Sequence, residues 1–378
     1  MNPYLDAFRE AAPARALARR IAELAERLPP HPRPFRVMEV CGSHTMAIAR
    51  YALRDLLPPW IELISGPGCP VCVTDPGYLD AAIKLARRGV RVFTFGDLLR
   101  APGSKGSLAE ARAEGATVEA CYSPLAAVEA ARAESARPVV FLAVGFETTI
   151  PPALAAADSA ARARLDHFSL LTAFKRIPPA LDALASDASL RVDAFLLPAH
   201  VSAIIGAEAY EPFVRAHHRP CVIAGFEPLD ILFGIEGLLR QALDGEPRVE
   251  NQYRRVVRPG GNARARRLIE EWLEPEDAAW RGLGVLPGSG LRLRPERAAF
   301  DAARRFAIEV RPGRPHPACR CGDVLRGARR PRDCPLFGAA CRPEHPLGPC
   351  MVSSEGSCAA ALHYEEADSV LSLKRRPS

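Results

Sequence analysis

The segment VVFLAVGFETT (139–149) decides the fold class of this 378-residue chain. Its first six residues are all apolar, and the apolar run stops at Gly145, before Phe146 and Glu147. A strand buried on both faces of a parallel sheet has this continuous pattern, whereas a half-exposed strand alternates. Further short apolar runs also end at cysteine, small or polar residues: 35–40, 61–64, 90–95, 194–197 and 221–224.

Helical patterns separate these runs, at 77–88, 107–114, 124–135, 151–164, 174–185 and 231–243. Strands that alternate with helices predict βαβ units and mostly parallel sheets. Ligands of such sheets bind at the carboxyl ends of the strands, where the unusual motifs of this chain fall. The phrases GFETT (145–149) and GFEPLD (225–230) resemble each other, which indicates two similar Rossmann-like α/β units.

The pattern along the chain predicts four segments: a helical arm at 1–34, a first α/β domain at 35–125, a second at 126–245, and a C-terminal domain at 246–378. The arm has helical spacing over 4–28, with a break expected at Pro13. In the C-terminal domain the alternation fades, and a helix is expected near 263–272. The stretch 311–358 is rich in Cys, Pro, Gly and Arg, so it needs a cross-link such as a metal cluster to be stable.

The bulk composition is that of an ordinary globular protein. Hydrophobic residues make up 48% and charged residues 25%, so the core can be large enough without disulfides. The net charge of +6 is mild, and arginine and acidic residues are interspersed, which argues against nucleic-acid binding. No signal-peptide pattern and no run of about 18 apolar residues occurs, so no membrane association is expected. We therefore expect a cytoplasmic protein whose 11 cysteines are metal ligands or redox thiols.

Six cysteines are concentrated near the C-terminus. Four follow an x14, x6, x16 spacing and two lie among them: Cys319, Cys334, Cys341 and Cys358, with Cys321 and Cys350. Four thiolates suit a 4Fe–4S cluster, and sulfur ligands also suit zinc, although zinc ribbons usually carry closely spaced cysteine pairs. A cluster, structural zinc and redox disulfides all remain possible, and ligand chemistry does not decide which four of the six would bind.

The motif CPVC (69–72) follows a predicted strand, and TDP (74–76) after it has the features of a helix start. A helix N-terminus favours thiolate, so Cys69 and Cys72 are candidates for a redox-active dithiol. Half of a zinc site and two inert thiols are the alternatives, because a single C-x-x-C motif is weak evidence.

The motif CGSH (41–44) lies where a predicted strand meets a predicted helix. Cys41 and His44 can face one atom there, as a metal site or as a base-activated thiol. A core cysteine beside a capping histidine is the alternative. Glu147 and His200 occupy other strand ends, where a helix-capping carboxylate and a loop histidine bonded to backbone are the simpler interpretations.

Five phrases, in order, resemble the HypD family of hydrogenase maturation factors: EVCGSHT (39–45), GPGCPVCVT (66–74), GFETT (145–149), PAHVSAIIG (198–206) and GPCMVSSEGSC (348–358). The resemblance spans nearly the whole chain. One position departs from the family pattern, because CGSHT is commonly followed by a second histidine and here by Met46. A thioether cannot act as a base, so any role of that second histidine is in doubt in this chain.

The resemblance implies a function in building the Fe(CN)2CO group of NiFe hydrogenases. The implied partners are a HypC-type chaperone, a HypE-type cyanide donor and, indirectly, the hydrogenase large subunit. Cys41 would hold the iron, and His44 would support or protonate nearby groups. Cys69 and Cys72 would cycle between dithiol and disulfide.

The resemblance also implies a 4Fe–4S cluster with these ligands: Cys319, Cys334, Cys341 and Cys358. The cluster would recharge the C-x-x-C pair, in the manner of ferredoxin–thioredoxin reductase, while Glu147 and His200 would line the cleft between the α/β units. The main rival hypothesis is an iron–sulfur-dependent protein disulfide oxidoreductase, which would not need Cys41. A zinc-stabilised interaction module without redox chemistry is the third hypothesis.

Overall fold

The computed structural model describes residues 6–30 and 32–365. Its strands, in chain order, are β1 Phe35–Glu39, β2 Ile61–Ser65, β3 Arg91–Thr94, β4 Val118–Ala120, β5 Val139–Gly145, β6 Phe168–Lys175, β7 Ala194–Pro198, β8 Cys221–Ala224, β9 Val249–Asn251, β10 Leu273–Trp280 and β11 Gly284–Leu293. They form two sheets. Sheet A has the order β2-β1-β7-β8-β9, and sheet B has the order β10-β11-β6-β5-β3-β4.

Every pair of neighbouring strands in sheet A is parallel. Val37 of β1 lies opposite Leu63 of β2 and Ala194 of β7, which fixes the register at the centre of the sheet. In sheet B, β3, β4, β5 and β6 are parallel, and the antiparallel hairpin of β10 and β11 is added beside β6. The parallel strands of each sheet therefore end at one common edge.

The predicted α/β class with two parallel-sheet units is confirmed. Each sheet, however, contains strands from both of the segments 35–125 and 126–245. From the second segment β7 and β8 lie in sheet A, and from the first segment β3 and β4 lie in sheet B. The two segments therefore do not coincide with the two sheets. Apolar periodicity identifies a buried strand but carries no information about its neighbours, so the crossing of the chain between the sheets is not visible in the sequence.

The helices are α1 Ala11–Glu26, α2 Gly42–Arg50, α3 Pro70–Val73, α4 Pro76–Arg87, α5 Gly96–Arg100, α6 Leu108–Ala113, α7 Leu125–Ala133, α8 Ile150–Arg162, α9 Ile177–Ser186, α10 Ala199–Ile205, α11 Glu211–His217, α12 Pro228–Asp244, α13 Ala263–Trp272, α14 Ala302–Arg305, α15 Cys321–Leu325 and α16 Ser357–Ala360. Short 3₁₀ turns join several of them. Among the described residues no helix is long and apolar enough to cross a membrane.

Two expectations about helices need correction. Pro13 does not break the first helix, because α1 begins at Ala11 and Pro13 lies in its first turn, where a missing amide hydrogen costs nothing. The beginning of the predicted helix, residues 4 and 5, lies outside the described residues. The helix predicted from residue 174 starts at Ile177, since the chain up to Lys175 is the strand β6.

The burial of the strands agrees with the prediction that the apolar runs are covered on both faces. All seven residues of β5 are buried, as expected for a central strand covered on both faces. The first helix, α1, packs its buried side against α12, which in turn covers β7 and β8 of sheet A. The hairpin of β10 and β11 was not predicted. Its burial does not follow a clean alternation, and Pro275 and Pro287 interrupt its strand propensity.

Candidate functional site

Four neighbouring strands of sheet A place the predicted motifs along one edge. The carboxyl ends of β2, β1, β7 and β8 lead directly to Cys69, Cys41, His200 and Phe226. Two of the loops are in direct contact. The amide of Gly42 donates a hydrogen bond of 3.0 Å to the carbonyl of Gly68, just before the CPVC motif.

Gly68 is required for this contact. A Cβ atom at this position would lie 2.2 Å from the amide nitrogen of Cys41. No side chain fits there, so only glycine allows the Cys41 loop and the CPVC loop to approach so closely. The two thiol motifs are thus held together by their backbones.

Cys41 is buried and lies at the N-terminus of α2. Burial raises the pKa of its thiol to about 12, and the nearby carboxylate of Glu355 adds to that effect. Below the loop, the buried carboxylate of Glu39 accepts hydrogen bonds from the Thr45 hydroxyl at 2.6 Å and the Cys41 amide at 3.4 Å. At neutral pH Cys41 is therefore a neutral thiol. Its thiolate would form only when a bound cation compensates the negative charge.

His44 is fully buried beside this loop. Its Nε2 lies 2.9 Å from the carbonyl oxygen of Gly225 and 3.2 Å from that of Ala224. Carbonyls only accept, so Nε2 carries the hydrogen and Nδ1 is left as an acceptor. Nδ1 has no hydrogen-bond partner among the described residues. Burial lowers the pKa of His44 to about 4, so the ring is neutral near neutral pH and Nδ1 stays unprotonated.

His200 is exposed at the same edge and packs on the ring of Phe226, with ring centroids 4.1 Å apart. Phe226 also contacts His44, at a centroid distance of 4.9 Å. Desolvation lowers the pKa of His200, and the carboxylate of Glu355 opposes that shift. The structure thus brings His200 to the Cys41 loop through an aromatic ring rather than through a direct bond.

The two cysteines of the CPVC motif form a disulfide in the structure, with Cα atoms 5.2 Å apart. Cys69 caps the short helix α3 by accepting a hydrogen bond from the Cys72 amide at 3.2 Å. Asp75 caps the next helix, α4, with Pro76 in its first turn. Both cysteines are buried. The predicted helix start is confirmed, and the geometry permits a dithiol and disulfide pair.

The C-terminal cysteines line one small apolar cavity of about 10 Å³, together with Leu336, Phe337, Gly348 and Met351. The thiols of the four predicted cluster ligands lie within electrostatic range of one another: Cys319, Cys334, Cys341 and Cys358. Burial raises the pKa of Cys358, and the other three thiols add to the effect. Accumulating thiolates here is costly unless a cation is present.

Two further features of the cavity suit a 4Fe–4S cluster. A Cβ atom on Gly348 would lie 2.6 Å from Sγ of Cys319, so the missing side chain leaves room beside that sulfur. The amides of Cys321 and Leu347 donate to Sγ of Cys319 and Cys341 at 3.4 and 3.3 Å, and such bonds tune cluster potentials. Among the described residues no three ligand-type side chains surround a single point. A cluster does not require that, since each thiolate binds a different iron.

Cys321 and Cys350, the two cysteines outside the predicted ligand set, form a second disulfide beside the cavity. This pair also lies next to the CPVC motif, because the Cys72 sulfur is 3.9 Å from the carbonyl oxygen of Pro349. No local pattern predicts this pairing, because the two residues are 29 positions apart.

Glu147 lies at the end of β5 in sheet B and is buried. Its Oε1 accepts from the amide of Ile177 at 3.0 Å, at the start of α9, and its Oε2 has no partner among the described residues. Burial raises the pKa of Glu147 to about 7. The helix-capping interpretation is therefore supported, although the capped helix is α9 rather than α8. Among the described residues the structure shows no direct hydrogen bond from Glu147 to the Cys41 loop.

Sequence reasoning missed Glu355. Its carboxylate accepts a hydrogen bond of 2.6 Å from the Ser43 hydroxyl, within the CGSH motif. A Cβ atom on Gly42 would lie 2.6 Å from the Cβ of Glu355, so the C-terminal segment packs tightly on the Cys41 loop. No local pattern in GPCMVSSEGSC (348–358) indicates that its glutamate reaches the Cys41 loop, because the contact joins residues 312 positions apart.

Fold and site together define a class: a two-sheet α/β protein that joins a buried thiol, a C-x-x-C disulfide and a four-cysteine cavity. The family model HypD, described as "Hydrogenase formation hypA family", matches residues 12–365. The chain belongs to this family of hydrogenase maturation factors.

Individual relatives agree with this membership. The hydrogenase maturation factor HypD of Azotobacter vinelandii is 50% identical, with 96% of each chain covered. The protein of the same name from Rhizobium leguminosarum bv. viciae is 45% identical, with 96% of this chain and 95% of that one covered. That of Escherichia coli K12 is 42% identical, with coverages of 89% and 91%. The predicted family is confirmed.

Proposed function

We propose that this protein is the scaffold on which an Fe(CN)2CO group is assembled for a NiFe hydrogenase. The observation that carries the proposal is the backbone contact between the Cys41 loop and the CPVC loop. It sets one buried thiol beside a dithiol and disulfide pair at a single sheet edge. Family membership supports hydrogenase maturation as the process that this site serves.

Cys41 is the proposed anchor of the iron. A thiol must lose its proton before it can bind a metal, and the buried Cys41 does so only when the cation arrives. His44 lies in the same loop, and its unprotonated Nδ1 is a hydrogen-bond acceptor there. Iron cargo is therefore exchanged for a proton at this loop.

Cys69 and Cys72 are the proposed electron carrier. Breaking their disulfide takes two electrons and two protons and yields two thiols, and the reverse reaction releases the same electrons beside Cys41. A low-potential one-electron carrier would supply these electrons from outside. Bound by the four C-terminal thiolates, a 4Fe–4S cluster would supply the capacity to pass electrons singly.

The proposed partners are a HypC-type chaperone, which would add a second thiolate ligand to the iron, and a HypE-type cyanide donor. The hydrogenase large subunit would receive the finished group. The exposed ring of His200 marks the side from which the Cys41 loop can be approached. We place the assembly in the cytoplasm, whose reducing conditions keep Cys41 as a free thiol.

A second candidate function is that of an iron–sulfur-dependent protein disulfide oxidoreductase. The observation that favours it is the Cys321–Cys350 disulfide beside the cysteine cavity, near the CPVC motif. Such an enzyme would act on a partner disulfide and would remain active without Cys41.

Infrared spectroscopy of the anaerobically purified chain in complex with its chaperone separates the two functions. CO and cyanide absorb where protein is silent. We expect these bands in the wild type and in Cys221→Ala, a control at another buried cysteine of sheet A. Cys41→Ala should lack them. If Cys41→Ala retains both the bands and normal hydrogenase maturation, Cys41 is not the anchor.

A further inference from the structure

The turn between β10 and β11 lies between the CPVC segment and the cysteine cavity. The amide of Arg281 donates to the carbonyl of Val73 at 2.9 Å, and Thr74 pairs with Trp280 in an isolated bridge. On the other side, a Cβ atom on Gly282 would lie 2.4 Å from Cα of Gly322, next to Cys321. The hairpin therefore contacts both the CPVC segment and the segment that carries the C-terminal cysteines.

Arg281 has a buried and incompletely bonded side chain. It is only 6% exposed. Its Nε donates to the Thr74 carbonyl at 3.2 Å, while Nη2 is buried without a hydrogen-bond partner among the described residues. A buried guanidinium that lacks a partner is costly to the fold. Burial lowers the pKa of Arg281 to about 10, so the group is still a cation at neutral pH.

Among the described residues, Asp75, Asp80 and Cys319 lie near enough to Arg281 for a negative charge on them to stabilise its guanidinium. The carboxylate of Asp75 already accepts from the amides of Gly77 and Gly313, and that of Asp80 accepts from the amide of Ser104. Both carboxylates are thus held by backbone. Of these three groups, Cys319 is the one that would become negative when a cluster fills the cavity.

We propose that Arg281 is a positioning residue that raises the reduction potential of the cluster held in the cysteine cavity. The inference rests on the proposed function. Reduction adds one electron, taken from the external one-electron carrier, to an already anionic group, and no bond or proton changes at Arg281. A fixed cation in a dry environment stabilises the more negative state. The hairpin thereby favours electron entry next to the CPVC disulfide.

The test is a redox titration of the reconstituted full chain followed by electron paramagnetic resonance, with iron and sulfide measured on each sample. Arg281→Gln removes the cation, so we expect a lower midpoint potential. The ratio of reduced to oxidised cluster at a fixed potential should fall by about tenfold, which is about 59 mV for one electron. Arg281→Lys should lie closer to the wild type. Arg292→Gln, an exposed residue on the same hairpin, is the control and should show no shift.

An unchanged potential in Arg281→Gln with a full iron content would overturn the inference and leave the proposed function intact. A wild-type chain that binds no iron and sulfide would overturn both. Should Arg281→Gln fail to hold the cluster, Asp80→Asn decides the matter. It keeps an acceptor for the Ser104 amide but removes a negative charge near Arg281, so the potential must rise, and an unchanged value contradicts the electrostatic role.

Discussion

Cys41, His44 and Glu147 share one physical condition, because burial removes the water that would stabilise their charged forms. Their pKa values shift accordingly: to about 12 for Cys41, about 4 for His44 and about 7 for Glu147. The Cys41 thiol and the His44 ring are therefore uncharged at neutral pH. A cationic cargo would compensate the negative charge of the Cys41 thiolate, which the protein alone does not do.

Glu147 makes a pH-dependent contribution to stability. Its pKa is raised from 4.5 to about 7, so between these values the folded chain binds more protons than the unfolded chain. The contribution is complete below the unfolded pKa and is lost as pH rises through the folded pKa. Over this window we expect wild type to lose up to about 3 kcal/mol of unfolding free energy relative to Glu147→Gln. Urea unfolding at several pH values measures the difference.

The control for this prediction is Glu129→Gln, at a side chain that is 65% exposed and paired with Arg132. Its stability should follow that of the wild type at every pH. The explanation for Glu147 is wrong if the wild type and Glu147→Gln have parallel profiles from about pH 4.5 to pH 7.

Gly348 is a position where a single residue controls the space in the cysteine cavity. In Gly348→Ala the new methyl group would lie 2.6 Å from Sγ of Cys319, so we expect clearly less iron and sulfide per chain after anaerobic reconstitution. Gly260→Ala is the matched control, because a Cβ atom there meets nothing within 4 Å. Equal iron content in both variants would show that the cluster does not need the space that Gly348 leaves beside Cys319.

At the scale of elements, the site depends on parallel strands that end together. β1 and β2 are neighbours in sheet A, so the Cys41 and CPVC loops leave the sheet side by side. The C-terminal segment then packs over both loops, because Glu355 accepts a hydrogen bond from Ser43 and the Pro349 carbonyl oxygen lies 3.9 Å from the Cys72 sulfur. Three separate parts of the chain are held at one edge.

The contact between the two loops can be tested by its glycine. Gly68→Ala places a Cβ atom against the backbone of Cys41, which cannot move without disturbing the end of β1. We expect a loss of about 1–3 kcal/mol in unfolding free energy, as for other overpacked sites. Gly96→Ala is the control, because Gly96 also follows the end of a strand, β3, and a Cβ atom there would meet nothing within 4 Å. Its urea midpoint should stay close to that of the wild type. Equal midpoints would contradict the close approach.

At the scale of the whole molecule, the sequence supports the fold class better than the arrangement. Runs such as 139–144 identify buried parallel strands because their composition alone reports burial on both faces. Composition does not report that β7 pairs with β1, because paired residues of these strands, such as Val37 and Ala194, are 157 positions apart. The same limit applies to the hairpin that carries Arg281, whose environment exists only after both sheets have assembled.

The candidate site divides in the same way. Motifs at strand ends led to Cys41, Cys69 and His200, because the position of a strand end is a local property. Glu355 and the Cys321–Cys350 pair could not be found in this manner, because they reach the site through the fold of the C-terminal segment. The ligand set of the cysteine cavity came from the family resemblance and stays a prediction.

The identity of what the cysteine cavity holds tests the central claim most directly. The measurement is the iron, zinc and acid-labile sulfide content of the full chain, purified without oxygen, together with its visible spectrum. The account predicts about four irons and four sulfides per chain and a broad brown absorption. One zinc and no sulfide, persisting after anaerobic reconstitution, would contradict it, because the CPVC disulfide would then lack its source of single electrons.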